Sequence, residues 1–166
     1  MTNPLRKPVS AYVALGANLG DPAPAVQRAL TQLGLIEHTR LVSASSLYET
    51  APHEASGPLY VNAVAQLETQ LNAVDLLHAL QALEQAAGRV RSVQNAPRTL
   101  DLDLLFYGDA RIDSSWLCVP HPRWQERAFV LLPLQDVAPE RVDAQMLARV
   151  ADQPIQRSVS VICDSK

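Results

Sequence analysis

The sequence predicts an α+β domain of ferredoxin-like type: a βαββαβ sandwich with an antiparallel sheet, helices on one face, and additional C-terminal elements. Three observations lead there. Apolar periods of two and of 3.6 alternate from about Ala11 to Tyr107, glycine and proline punctuate them, and no repeat or low-complexity stretch marks off a second unit. The length of 166 residues favours one domain, residues 1–166, able to bury an ordinary core without disulfide or metal staples.

Residues 1–8 lack periodicity and contain Pro4 and Pro8, so a loose tail is expected. Tyr12-Val13-Ala14-Leu15 reads as a buried strand that ends at Gly16-Ala17-Asn18-Leu19-Gly20, where glycine permits tight geometry. Asp21 and Pro22 make a helix start, and Val26, Ala29, Leu30 and Leu33 recur at helical spacing until Gly34. Thr39 to Tyr48 lacks that spacing and predicts a strand, followed by a loop with Pro52, Gly57 and Pro58 that is a candidate lid. Tyr60 to Glu68 alternates, with Val61, Ala63, Ala65 and Leu67 on one face. Asn72 with Asp75 caps a second helix whose stripe is Leu76, Leu80, Leu83 and Ala87. A polar loop from Arg89 to Pro97 then leads into Thr99–Tyr107, which alternates before turning wholly apolar, as a central strand does. Beyond it the pattern predicts a helix over Trp124–Leu132, another over Ala144–Ala151, and a final strand near Ser158–Ile162.

Composition narrows the function. A hydrophobic share of 48% is that of a packed chain rather than a disordered one, and a formal charge of −3 argues against a broad basic footprint for duplex nucleic acid. No apolar run approaches membrane-spanning length and none follows Arg6 and Lys7 at the start, so no membrane segment is expected and the cytoplasm is the natural compartment. Cys118 and Cys163 form neither a metal-spaced cluster nor a disulfide framework. Lysine occurs only at Lys7 and Lys166, which excludes a Walker-type lysine. A phosphate bound by the body of the chain must meet arginine, backbone N–H groups or metal ions.

Asp101 and Asp103 lie two apart on a strand, which turns both carboxylates to one face with Cα atoms roughly 6.5–7 Å apart. Magnesium takes one or two carboxylates and completes its shell with water and substrate phosphates, so the pair suits it, although the tripeptide alone also fits a solvated acidic strand face. Arg89, Arg91 and Arg98 on the preceding loop favour a polyphosphate–metal site, since guanidinium forks bind phosphate oxygens. His121 stands between Pro120 and Pro122 on a stiff turn, and Arg127 follows at a spacing that can bring both to one cleft.

Several segments together resemble the 6-hydroxymethyl-7,8-dihydropterin pyrophosphokinase family. They are Ala14-Leu15-Gly16-Ala17-Asn18-Leu19-Gly20-Asp21, Ser45-Ser46-Leu47-Tyr48-Glu49-Thr50, Tyr60-Val61-Asn62-Ala63, Glu84 with Gly88-Arg89-Val90-Arg91, Pro97-Arg98-Thr99-Leu100-Asp101-Leu102-Asp103, and Val119-Pro120-His121-Pro122-Arg123 with Arg127 and Phe129. The resemblance implies an ATP-dependent diphosphokinase of folate biosynthesis that moves the pyrophosphoryl group of ATP to the hydroxymethyl oxygen of the pterin and releases AMP. It further implies that Asp101 and Asp103 hold two Mg2+ ions, with Arg89 and Arg98 catalytic on the triphosphate and Arg91, His121 and Arg127 also binding ATP. On the pterin side it implies Asn62 at the ring edge, Tyr60 and Phe129 on the ring faces, and the backbone near Thr50 reading the remaining polar atoms. The expected partners are these small molecules alone, with the chain a monomer. Asn95-Ala96 departs from the Trp-Gly that many relatives carry before the proline of the arginine motif. A different phosphoryl transferase or hydrolase using the same acids, or a binding module without turnover, remain the alternatives to be separated by a pterin requirement.

Overall fold

The computed structural model describes residues 4–51, 58–88 and 100–158. In chain order the elements are β1 (Val9–Ala17), α1 (Pro22–Leu33), β2 (Thr39–Ala44), β3 (Tyr48–Thr50), β4 (Tyr60–Thr69), α2 (Ala73–Ala86), β5 (Asp101–Tyr107), β6 (Ile112–Asp113), β7 (Cys118–Val119), α3 (Ala128–Val137), α4 (Ala144–Arg149) and β8 (Gln156–Arg157). The main sheet runs β5-β1-β4, with β2 and β3 both paired to the far side of β4 and β8 beyond β3. Every pairing in it is antiparallel.

The alternation of β1 and β4 divides the sheet into two faces. Ala11, Val13, Leu15 and Ala17 point with Val61, Ala63, Ala65 and Leu67 toward Val26, Ala29 and Leu33 of α1 and Leu76 and Leu80 of α2, and all of them are buried. The opposite face carries Tyr12, Val64, Leu105 and Phe106, which pack on Val130, Leu131 and Leu134 of α3. Helices therefore cover both faces, not one. The α3 cover comes from the C-terminal segment, whose place the apolar periods of the first 107 residues do not encode.

Local chemistry explains most boundaries. Asn72 Oδ1 accepts from the Asp75 N–H at 2.8 Å while Asn72 Nδ2 donates to Asp75 Oδ2 at 3.1 Å, a reciprocal cap at the start of α2. Asp21 occupies the N-cap position of α1 but makes no side-chain cap bond there, leaving Pro22 as the chief start signal. On α2, Glu84 is buried where the stripe predicts Leu83 and Ala87; Leu83 is half-buried and Ala87 exposed.

Two other expectations are revised, and a third falls mostly outside the described residues. The predicted strand Thr39–Tyr48 breaks into β2 and β3, because Ser45 turns its own polar groups onto β4: its N–H donates to Val64 O at 2.9 Å and its Oγ accepts from Val64 N at 2.9 Å. The predicted helix Trp124–Leu132 becomes a 3-10 turn at Trp124–Glu126 followed by α3, which runs on through Pro133 to Val137. Pro133 costs α3 one internal hydrogen bond, and its ring is buried in the cover over the sheet. The C-terminal strand lies at Gln156–Arg157, and residues 159–162 of the predicted strand lie outside the described residues.

Candidate active site

The antiparallel registers carry one row of residues across the sheet. Asp101 pairs with Gly16, Gly16 with Asn62, Asn62 with Tyr48, and Tyr48 with Arg157. Residues directly opposite in a sheet share a face, and this row lies on the α3 side. Asp103 belongs to the next row on that face, opposite Ala14. Strand spacing puts the Cα atoms of Asp101 and Asn62 roughly 10 Å apart, with Gly16 between them.

Gly16 keeps this row uncrowded. A Cβ there would stand 3.0 Å from Asn62 Oδ1, so any other residue must displace the amide. Asn62 is buried, and its Nδ2 donates to Thr50 Oγ1 at 3.2 Å. Tyr60 pairs with Thr50 and lies two residues from Asn62, hence on the same face. Phe129 sits in the first turn of α3, half-buried, with the Arg127 guanidinium 5.3 Å from its ring centroid.

On the other side of β1, the two acids meet the segment after β7. The His121 N–H donates to Leu105 O at 2.9 Å, which fastens the turn to β5, and the Val119–Pro120 bond is cis. The Arg123 N–H donates to His121 Nδ1 at 3.1 Å, so neutral His121 carries its proton on Nε2. Burial first, then Arg127 and Arg123, hold His121 below its ordinary value of 6.5, while Asp101 opposes them. Burial and Arg123 likewise lower Arg127, against the pull of Asp103, Glu126 and Asp101. Asp101, Asp103, His121, Arg123 and Arg127 thus share one electrostatic neighbourhood, in which the partly buried Arg127 and the exposed Arg123 repel each other and favour an added anion.

The acid pair is held from behind. Glu84, buried on α2, accepts from the Leu102 N–H at 3.0 Å and so fixes the peptide between the two aspartates. Beside them a cavity of about 300 Å³ wraps the outer edge of β5, lined among others by Asp103, Leu104, Leu77, Trp116, Cys118 and His121. Asp101 and Asp103 are half-buried on one face of this edge strand, a donor set that fits a hard cation sharing its shell with phosphates. Among the described residues no group of three or more His, Cys, Asp or Glu forms a protein-only metal cage.

Of the residues singled out in the sequence, Asp101, Asp103, His121 and Arg127 come together, and so do Thr50, Tyr60 and Asn62. Arg89, Arg91 and Arg98 lie outside the described residues, as do Pro52 and Gly57 of the lid loop and Asn95-Ala96. The sequence reading missed the cavity wall from the β6–β7 hairpin, whose strands of two residues each carry no periodic signal. It also missed the proximity of Gly16 to Asn62, which only the strand register reveals.

A family model described as 7,8-dihydro-6-hydroxymethylpterin-pyrophosphokinase matches residues 12–139. A Pseudomonas aeruginosa protein named 2-amino-4-hydroxy-6-hydroxymethyldihydropteridine pyrophosphokinase is 50% identical over 130 residues, 78% of this chain and 80% of that protein. The Schizosaccharomyces pombe folic acid synthesis protein fol1 is 37% identical over 150 residues, 90% of this chain but 20% of that longer protein. A solved HPPK-DHPS in complex with substrates superposes with a TM-score of 0.65 at 14% identity, over 81% of this chain and 40% of that one, a likeness that bears on the fold alone.

Proposed function

The chain belongs to the 7,8-dihydro-6-hydroxymethylpterin-pyrophosphokinase family, and from that premise we infer that it transfers the pyrophosphoryl group of ATP to the hydroxymethyl oxygen of 6-hydroxymethyl-7,8-dihydropterin, a step of folate biosynthesis that yields AMP and the pterin diphosphate. The observation that carries the site assignment is the cross-strand row, which lines up a metal-competent acid, a glycine gap and a buried amide on one face. The strand order β5-β1-β4, with the broken β2–β3 strand on the far side of β4, supports the ferredoxin-like reading within a single domain.

In this reading Asn62 and Thr50 read the polar edge of the pterin, and Tyr60 and Phe129 bound its faces. Flat heterocycles suit such a slot, where aromatic surface supplies affinity and one or two placed amides supply orientation. Gly16 leaves the lane open along which the hydroxymethyl group points from Asn62 toward Asp101. The triphosphate lies between the acids and the cations: Nε2–H of His121 and the guanidinium of Arg127 donate to its oxygens, and Arg89, Arg91 and Arg98 from the preceding loop complete the charge balance. The cavity along β5, with Trp116 and Leu77 in its wall, accommodates the nucleoside end.

Asp101 and Asp103 would hold Mg2+, two ions by the family pattern, and the metal supplies charge neutralisation of the phosphate oxygens. The hydroxymethyl oxygen attacks the β-phosphorus in line, the bond from the α-phosphate to the β-phosphorus breaks, and AMP departs with the bridging oxygen. A carboxylate of the pair accepts the hydroxyl proton. No helix among the described residues is long and apolar enough to cross a membrane; a monomer working in the cytoplasm is the assignment we favour.

The test is AMP release from ATP and Mg2+ with and without the pterin. AMP in equal amount to pterin diphosphate, and only with pterin present, is the expected result. ADP as product, or AMP that ignores the pterin, overturns the assignment in favour of another phosphoryl transferase or a hydrolase.

A further inference from the structure

A polar network ties three elements together at the end of the row away from the acids. Asp136, on the last turn of α3, accepts through Oδ2 from the Ser46 N–H at 3.1 Å and from the Tyr48 hydroxyl at 2.9 Å. Arg157 of β8 donates through Nη2 to Tyr48 Oη and to Asp136 Oδ1, each at 3.0 Å, and its guanidinium lies 5.6 Å from the Tyr48 ring centroid. Ser158 reinforces the same junction, donating its N–H to Leu47 O at 2.8 Å and its Oγ to Glu49 Oε1 at 3.3 Å.

The position of this network matters more than its strength. β3 has three residues, which give it little hold on β4 alone, and β8 is its second neighbour. Tyr48 is directly opposite Asn62 and is 4% exposed, so its ring occupies a fixed place beside that amide. The pterin-side residues lie on the elements that Asp136 and Arg157 join: Thr50 on β3, Asn62 on β4 beside it, and Phe129 on α3. The ATP-side residues Asp103 and His121 stand across β1, outside the network.

We propose that Asp136 and Arg157 are positioning residues for the pterin slot, setting the gap between β3 and α3 through Tyr48 without touching substrate. The C-terminal strand is then part of the binding apparatus, a clamp on the short strand that carries Thr50. The proposal rests on the pterin assignment above. It predicts an asymmetric defect, because loss of the clamp loosens β3 and Asn62 while leaving the β5 side in place.

The experiment compares wild type, Arg157→Ala, Arg157→Lys and Tyr48→Phe in the full chain. Arg157→Ala is expected to raise the KM for pterin by about fivefold, an effect limited by the exposure of the pair, with the KM for ATP and kcat within about twofold. Arg157→Lys restores part of the loss, and Tyr48→Phe, which keeps the ring and removes the shared hydroxyl, reproduces it. Hydrogen exchange at Leu47–Thr50 speeds up in the same variants that lose pterin affinity. An unchanged pterin KM, or equal rises for both substrates with a lowered Tm, overturns the clamp. Wild-type protein without pterin-dependent AMP release overturns the functional assignment instead, and the exchange comparison still decides whether Arg157 holds β3.

Discussion

The two faces of the sheet are built from the same strands and do opposite work. Toward α1 and α2, β1 and β4 present an unbroken set of buried apolar residues, from Ala11 to Ala17 and from Val61 to Leu67. Toward α3 the same strands are apolar only in the middle, at Tyr12, Ala14 and Val64, with Ser10, Gln66 and Glu68 toward one end and, toward the other, Gly16 and Asn62 between Asp101 and Tyr48. In β1 and β4 a period of two gives odd positions to the α1–α2 core and even positions to the face of the proposed site, and in β5 the parity is reversed, with Asp101 and Asp103 on the site face. A substitution one residue along a strand should therefore change which property suffers.

The sharpest contrast sets β5 against the helix packed behind it. Asp103→Ala should lower kcat for pterin-dependent AMP release by about 10²–10³-fold with Tm nearly unchanged, because the role proposed for it is on developing charge and not on packing. Leu76→Ala on the α2 face should do the reverse. That side chain is fully buried, and its truncation should cost about 2–5 kcal/mol in denaturant unfolding while the folded fraction keeps its KM for both substrates.

How much of this contrast was readable in the sequence follows from range. The alternation of β4, the Asp101–Asp103 pair and the first half of the α2 stripe, Leu76 and Leu80, are local patterns found where the pattern puts them, whereas Glu84 takes the buried place expected of Leu83 and Ala87. The break at Ser45 and the passage of α3 through Pro133 depend on bonds to β4 and on burial against the sheet, which no local window contains. The row joining Asp101 to Asn62 runs through Gly16, which lies more than forty residues from either in the chain, so the sequence offers its members without their order. The arginines of the polar loop were legible as a motif, yet their places fall outside the described residues.

A subtler test of the row is Gly16→Ala. The added methyl would press on Asn62 Oδ1, and the expected result is a rise of about tenfold in the KM for pterin with the KM for ATP little changed. A larger effect on ATP would place the crowded atom on the wrong side of β1. The smallest effect concerns pH. His121 sits below 6.5 in the folded chain, chiefly through burial, so below pH 6.5 the unfolded chain binds more protons than the native one. Native stability should therefore fall on acidification through this window, and His121→Gln should flatten the slope, as read from urea midpoints at pH 7.5 and 5.5.

Chemical-shift mapping with the pterin and a non-hydrolysable ATP analogue, with Mg2+, tests the division of labour most directly. Pterin is expected to perturb Thr50 and Asn62, nucleotide to perturb Asp101, Asp103 and His121, and Leu76 and Leu80 beneath the sheet to stay still. Perturbations centred on α1 and α2, with the Asp101–Asn62 row unmoved, would contradict it.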